Sequence, residues 1–113
     1  MSALLDHQIK FSGYVSDLIR FAYDNGYGIT LGDAFRDSRV TYGHKKSLHR
    51  QRLAIDLNLF LQSPDGHWDY LALTDDHSEL GKYWKSLDPD CAWGGDFSNP
   101  DGNHYSLKWE GMR

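Results

Sequence analysis

The sequence predicts an α+β protein in which helices cover a small antiparallel sheet. Two patterns predict this class: apolar residues recur at three- and four-residue spacings near the start of the chain, and they alternate with polar residues from Leu53 onwards. A strong turn follows the alternating segment and favours an antiparallel hairpin. The chain has 113 residues, the size of one domain with its own core, and we expect residues 1–113 to form a single domain.

The first predicted element is an amphipathic helix over residues 3–23. Polar residues separate its apolar positions, and Gly13 is a point at which the helix could loosen. Asp24-Asn25-Gly26 ends the helix, because glycine readily adopts the left-handed conformation after a last helical turn. A short strand over residues 27–35 follows and delivers Arg36 at its end.

The central element is a strand over residues 53–62. Its odd positions from Leu53 to Leu61 are all apolar, which is the two-residue period of a strand with one buried face. Asp56 therefore points away from the aliphatic core, where a carboxylate is costly unless a cation or hydrogen-bond donors meet it. Ser63-Pro64-Asp65-Gly66 predicts a turn, so residues 67–70 return as the antiparallel hairpin strand.

The C-terminal half predicts one more helix and one more strand. Thr74 is the N-cap candidate of the helix, and acidic residues in the first turn suit the helix dipole. Residues 104–109 alternate like a final strand. We expect Trp68, Trp84 and Trp109 to lie in the core.

Composition excludes several classes of protein. The formal net charge is -4 and no long block of like charges occurs, so a nucleic-acid partner is not expected despite a local positive cluster over residues 44–52. No apolar run approaches the roughly 20 residues of a membrane-spanning helix, so stable membrane insertion is not expected either.

Cysteine use and the N-terminus bear on the compartment. The one cysteine, Cys91, cannot form an intramolecular disulfide, and we expect it to be a small buried hydrophobe rather than a thiolate ligand. The first residues do not resemble a signal peptide. We expect synthesis in the cytoplasm, so that a substrate beyond the membrane would require another factor to release the protein.

Two histidines and two aspartates form the candidate chemical site. His49 lies in an irregular polar segment seven residues before Asp56, so a loop can fold its imidazole over the face that carries Asp56. His104 is the third candidate metal ligand, and Asp101 can converge with it in a tight turn that enters the last strand. Three protein ligands leave a fourth position for water, and a nearby carboxylate can accept that water's proton.

Four motifs follow one another along the chain: Ser47-x-His49, Ala54-x-Asp56, Trp93-Gly94-Gly95-Asp96 and Asp101-x-x-His104. In sequence and order they resemble the motifs of the zinc-dependent M15 peptidases. This family includes D-alanyl-D-alanine peptidases and phage L-alanyl-D-glutamate endopeptidases. The resemblance covers most of residues 30–108. It implies the zinc DD-peptidase fold of α+β class, a small antiparallel sheet flanked by helices, and Zn²⁺ as the cofactor.

The resemblance also implies roles for individual residues. It makes His49, Asp56 and His104 the zinc ligands. Asp101 becomes the general base and Arg36 the arginine that orients the substrate. Two further residues, Ser47 and Trp93, become candidates for substrate binding.

Some of these roles have plain alternatives. Asp101 could be an ordinary turn aspartate, and Arg36 an exposed ion-pairing arginine. Ser47 could only fix its loop through a backbone hydrogen bond, and Trp93 is equally plausible as core. The family usually has glycine where this chain has Arg52, which bears on the loop geometry and on substrate preference.

The predicted function is a monomeric zinc peptidase that cuts the stem peptide of peptidoglycan, between L-Ala and D-Glu rather than at a terminal D-Ala-D-Ala. The short length suits a lysis enzyme without a separate wall-binding domain. The alternative is a catalytically inactive wall-binding or virion protein that retains the metal site, for which Arg52 is the one sequence hint. A histidine-rich nucleic-acid binder is a weaker third possibility, against which the negative charge argues.

Overall fold

The computed structural model describes residues 3–35 and 47–113. Two α-helices and five strands form within these residues: α1 (Ala3–Asp24), β1 (Tyr27–Leu31), β2 (Ala54–Gln62), β3 (Trp68–Tyr70), α2 (Ser78–Leu87), β4 (Cys91–Trp93) and β5 (His104–Leu107). Three short 3₁₀ turns accompany them, at Leu48–Gln51, Thr74–His77 and Gly94–Asp96. The predicted α+β class is confirmed.

The strands form one antiparallel sheet with the order β1-β2-β5-β4, and β3 also pairs with β2. The first part of β2 pairs with β5 and its last part pairs with β3, while β1 runs along the other edge of β2. The long second strand is therefore the element through which the whole sheet is connected.

The hydrophobic core lies between the helices and one face of this sheet. Trp84 of α2 is fully buried at its centre, and its ring contacts Phe11 and Tyr105 edge to face, with centroids 5.8 and 6.0 Å away. The indole N–H of Trp84 donates to the carbonyls of Ala92 and Ser106, both at 3.0 Å. One side chain thus packs α1 against α2 and ties α2 to the two strands β4 and β5.

Turn and helix-end chemistry is as the sequence predicts. Helix α1 runs unbroken through Gly13 and ends where Gly26 takes a φ of 87°. The hairpin between β2 and β3 turns at Gly66, whose φ is 89°. Both glycines occupy the left-handed region, where a Cβ would be strained. Neither helix of the described residues has the length and apolar character needed to cross a membrane.

Three predictions are corrected by the structure. Trp68 is not in the core but 49% exposed, because β3 is a short outer strand and its ring lies on the sheet face away from the helices. Thr74 is not the N-cap of the second helix: α2 begins at Ser78, and His77 holds that position. Thr74 instead begins a 3₁₀ turn that precedes the helix, and the N–H of Leu73 before it donates to the Asp76 carboxylate at 3.0 Å. The predicted strand over residues 27–35 ends at Leu31.

One strand was not predicted from the sequence. Cys91–Trp93 forms β4 at the edge of the sheet, next to β5. A segment of three residues is too short to display a two-residue period, and it pairs with residues 12 to 16 positions away in sequence. The partner strand β5, in contrast, lies within the predicted range of residues 104–109.

Candidate metal centre

The centre is built on the face of β2 that points away from the helices. In the register of β2 and β5, Asp56 lies directly opposite His104. Residues opposite each other in an antiparallel pair project to the same face with Cβ atoms about 4.5–5.5 Å apart. Strand pairing therefore brings together an aspartate and a histidine that are 48 positions apart in the sequence.

His49 reaches the same face from the 3₁₀ turn Leu48–Gln51. Ser47 caps this turn, because its hydroxyl oxygen accepts a hydrogen bond from the His49 backbone N–H at 3.2 Å. Leu48 is fully buried, and its carbonyl accepts from the N–H of Leu53 at 3.0 Å, just before β2 begins. The buried Leu48 side chain thus fixes the turn, so that the imidazole of the next residue, His49, projects to the opposite side. The capping bond is the loop-fixing alternative that the sequence left open for Ser47.

The three side chains converge closely enough to hold one ion. One ligand atom from each of His49, Asp56 and His104 lies within 4.8 Å of the others. His49 Nε2 is 3.3 Å from Asp56 Oδ1, and His104 Nδ1 is 3.8 Å from the same oxygen. Ligands at zinc-like distances of 2.0–2.1 Å with tetrahedral angles would be separated by about 3.3 Å.

The surroundings of these atoms also suit a cation. The oxygen Asp56 Oδ1 is buried, as is His49 Nδ1, and neither atom has a hydrogen-bond partner among residues 3–35 and 47–113. A buried carboxylate oxygen that is not hydrogen-bonded is expensive unless a positive charge meets it. The Asp56 side chain keeps 22% of its surface exposed, so the site is reachable from solvent. Two imidazoles and a carboxylate are a donor set of catalytic zinc sites.

Asp101 lies in the tight turn that leads into β5. Its N–H donates to the Gly94 carbonyl at 2.9 Å, and its own carbonyl accepts from the His104 N–H at 3.1 Å. Gly94 passes so close that an added Cβ would lie 2.8 Å from the Cβ of His104. The Asp101 side chain is exposed, as a proton acceptor for water requires, while its role as base stays a prediction.

Trp93 contacts the same turn from the core side of the sheet. It is 8% exposed, its ring lies against Gly81 and Gly95, and its indole N–H donates to the Gly102 carbonyl at 2.7 Å. Trp93 is therefore part of the core and fixes the turn between Asp101 and His104. A contact between Trp93 and substrate stays a prediction.

Gly32 is a supporting residue that the sequence analysis missed. Its N–H donates to the Asp56 carbonyl at 2.8 Å, and the Asp56 N–H donates to the Asp33 carbonyl at 2.8 Å. A Cβ on Gly32 would lie 2.9 Å from that Asp56 oxygen and 3.1 Å from the Asp56 Cβ. Both backbone hydrogen bonds of Asp56 are thus made to the two residues that follow β1, on the edge of β2 opposite β5. A glycine inside a predicted strand was the available signal, since it often marks a close backbone approach.

A third buried histidine lies on the core side of the centre. His77 Nδ1 is 2.8 Å from the hydroxyl of Tyr105, the residue that follows His104. Burial lowers the pKa of His77 and raises the pKa of Tyr105, so both groups are neutral at neutral pH. His77 is therefore a core histidine whose ring nitrogen has a hydrogen-bond partner. Burial likewise raises the pKa of the Cys91 thiol to about 12, which fits a buried hydrophobe.

Two arginines complete the predicted set. Arg36 lies outside the residues that the structure describes, so its orienting role stays a prediction. Arg52 has φ 57° and ψ 35°, the left-handed conformation, at the end of the turn that carries His49. Its guanidinium carbon lies 4.4 Å from the centre of the Phe35 ring. The chain therefore keeps, with an arginine, a backbone conformation that glycine adopts most easily.

A sheet face that gathers two histidines and an aspartate beside an exposed second aspartate defines the class of the protein as a candidate metallohydrolase. Comparison with protein families then identifies which one. A family model of M15 peptidases, described as D-alanyl-D-alanine carboxypeptidase, matches residues 41–107, more than half of the chain. The chain belongs to this family and is a peptidase of the group that acts on peptidoglycan. A comparison with curated proteins found no match.

Proposed function

We propose that the protein is a zinc-dependent peptidase that hydrolyses the stem peptide of peptidoglycan between L-Ala and D-Glu, as phage endolysins of this family do. The convergence of His49, Asp56 and His104 within 4.8 Å carries the zinc proposal. The motifs shared with the phage members support the choice of bond. In such a role the enzyme acts on the cell wall after another factor has released it.

The residues of this chain divide the work in the proposed reaction. His49, Asp56 and His104 hold the ion and leave one position open. When bound, zinc polarises the scissile carbonyl and lowers the pKa of a water molecule from 15.7 to about 7. Asp101 accepts the proton that the attacking water loses and passes it to the leaving amine. Arg36 pairs with a carboxylate of the substrate.

Charge supports an acidic substrate. A divalent ion held by the carboxylate of Asp56 and two neutral imidazoles keeps a net positive charge. The stem peptide carries free carboxylates, which such a site attracts, and the arginine proposed to orient it has the same sign. The site therefore favours a peptide with a carboxylate close to the scissile bond over a neutral one.

The test uses purified protein and isolated sacculi. We expect new amino termini to appear, to be lost with a chelator and to return with zinc. Asp101→Asn keeps the size of the side chain and should lose the activity, whereas Asp69→Asn, an exposed aspartate on β3, should not. Full activity of Asp101→Asn would remove the proposed base, and full activity in chelator would remove the metal.

A D-alanyl-D-alanine carboxypeptidase is the second candidate, because the matching family model carries that description. Mass spectrometry of defined muropeptides separates the two. Endopeptidase cleavage leaves L-Ala on the sugar and releases a peptide that begins with D-Glu, whereas carboxypeptidase cleavage releases only free D-Ala. Binding to sacculi with no product, under conditions where zinc is bound, would instead indicate the inactive wall-binding protein.

A further inference from the structure

Two exposed aromatic side chains and one half-buried ring form a cluster at one end of the sheet, which we call the aromatic surface: Trp68 and Tyr70, with Phe60. Tyr70 lies opposite Phe60 in the register of β2 and β3, with ring centroids 5.4 Å apart. Trp68 is 49% exposed and Tyr70 57% exposed. Burial of apolar groups drives folding, so exposed tryptophan and tyrosine in one patch indicate a binding surface.

Trp68 packs on the sheet. The six-membered part of its ring lies over Gly28 of β1, where an added Cβ would come within 2.9 Å of the ring atom Cζ3. Gly28 lies opposite Phe60, so the indole reaches across β2 from the strand on its other side. The absence of a side chain at Gly28 lets the ring pack against the backbone of β1, while about half of the Trp68 surface, 49%, stays exposed.

The aromatic surface and the candidate metal centre share one face of β2. Asp56, Asn58 and Phe60 are alternate residues of this strand, so their side chains project to the same side. At about 3.3 Å per residue, Phe60 is about 13 Å from Asp56 along the strand. Asn58 and its opposite residue Thr30 place polar groups between the two. Along this face of β2, the candidate metal centre, the polar residues and the aromatic surface therefore follow one another in that order.

We propose that the aromatic surface binds sugar rings of the peptidoglycan glycan strand while the metal centre holds the attached stem peptide. This inference rests on the proposed function for its choice of sugar. Flat aromatic rings with an open face suit a pyranose, whose C–H bonds carry partial positive charge and meet the negative face of the ring. The one charged residue of β3, Asp69, lies opposite Leu61 and projects to the other face, so β3 itself places no charge among these rings.

The spacing also fits a polymer that joins sugar to peptide. An extended peptide spans at most about 3.6 Å per residue, so the proposed L-Ala-D-Glu bond, one residue from the sugar, lies only about 4 Å of peptide away from it. With that bond at Asp56, the first sugar lies near Asn58 and the neighbouring sugars of the strand reach Phe60, Trp68 and Tyr70. A bond four residues from the sugar, as in the carboxypeptidase alternative, would lie about 14 Å away and place the first sugar on Phe60 instead.

The experiment measures glycan binding and peptide cleavage separately. Glycan strands are stripped of their stem peptides and coupled to beads, and co-sedimentation of the protein with these beads in chelator measures glycan binding. Release of amino termini from a free stem peptide, with zinc, measures cleavage. The variants are Tyr70→Ala and Trp68→Ala, and Tyr70→Phe keeps the ring. The matched control is Tyr23→Ala, an equally exposed tyrosine (51%) on α1 in the helix layer.

We expect Tyr70→Ala and Trp68→Ala each to weaken glycan binding roughly tenfold, within the range of one lost aromatic contact. Tyr70→Phe and Tyr23→Ala should bind as the original protein does, and all four should cleave free stem peptide at the original rate. Cleavage of intact sacculi should fall with glycan binding. Should Trp68→Ala fail to fold, Tyr70→Ala decides the question alone, because its side chain lies mostly in solvent.

Three outcomes would overturn the proposal. The original protein could fail to bind stripped glycan, or Tyr70→Ala could bind as well as Tyr23→Ala. Sedimentation velocity could also show a dimer that Tyr70→Ala converts to monomer, which would make the surface an interface between copies. Failure of the proposed function looks different: no cleavage of free stem peptide, with glycan binding and its loss in Tyr70→Ala intact.

Discussion

The two faces of β2 differ in what determines them. On the helix side, Ile55, Leu57 and Leu59 are buried and form the core. On the other side, Asp56 and Asn58 are partly exposed and look towards the candidate site. The first face follows from a local period of two residues. The second acquires its meaning only when β5 and the turn Leu48–Gln51 bring two histidines to it. The residues of β2 that stabilise the core and those that form the candidate site thus project to opposite faces of the same strand.

The largest expected effect comes from the site face. Asp56→Ala removes the one carboxylate among the three candidate ligands, and we expect hydrolysis to fall roughly a thousandfold, equivalent to about 4 kcal/mol. Zinc should then no longer raise the melting temperature, while the melting temperature in chelator changes little. Equilibrium dialysis against zinc and peptide-release kinetics check both, with Asp69→Ala as control. Zinc-dependent stabilisation that persists in Asp56→Ala would show that this face is not the metal site.

The neighbouring residue on the core face should behave in the opposite way. Leu57→Ala leaves a cavity in a fully buried position and should cost about 3 kcal/mol of unfolding free energy. Its folded fraction should still bind zinc, since the side chain points away from the site. Urea unfolding measures the cost. The control is Leu31→Ala, which lies opposite Leu57 but is 67% exposed and should cost less than about 1 kcal/mol. The two side chains project to the same face and differ in burial, so equal costs would contradict the placement of Leu57 in the core.

The sequence predicts one face better than the other for a physical reason. Apolar alternation from Leu53 to Leu61 determines the core face of the central strand locally. Local patterns likewise predicted both helices, the central strand and its hairpin with nearly correct bounds. The short strand Cys91–Trp93 was missed because its pairing is entirely long-range. Trp68 was misassigned because hydrophobicity does not say which face of a sheet an aromatic residue will occupy.

The site itself was predicted through motifs rather than through periodicity. His49, Asp56 and His104 were proposed from their spacing and from family resemblance, and the structure does bring them together. The residues that make this possible were less visible. Gly32 and Gly94 matter because the backbone of another segment passes close to each. A glycine can signal such an approach, but the local sequence does not say which segment makes it.

His77 offers a pH test of the layer behind the site. Burial lowers its pKa in the folded state, and the nearby Asp76 opposes this only in part. The unfolded chain therefore binds more protons below its ordinary pKa of about 6.5, and folding stability should fall as pH drops through that range, by at most about 1.4 kcal/mol per pH unit.

His77→Gln should flatten this loss. Urea unfolding in chelator at pH 7.5 and pH 5.5 measures it, and His67→Gln, an exposed histidine in the hairpin, serves as control. An unchanged pH dependence in His77→Gln would mean that the core behind β5 does not depend on a neutral histidine. The Tyr105 hydroxyl, which His77 contacts at 2.8 Å, would then have to be satisfied in another way.

The smallest expected effect concerns the loop that carries His49 to the site face. Arg52 has φ 57°, which costs a residue with a Cβ about 1 kcal/mol, and its contact with Phe35 returns about 0.5–1 kcal/mol. Arg52→Gly relieves the first and loses the second, so its unfolding free energy should change by less than about 0.5 kcal/mol. Arg52→Ala keeps the strain and loses the contact, so it should be the less stable of the two.

Phe35→Ala in each background isolates the contact: it should destabilise the original chain and leave Arg52→Gly unchanged. If Arg52→Ala is as stable as Arg52→Gly, the left-handed backbone at this position costs no measurable stability. The role of Arg52 would then lie in its charge beside the site.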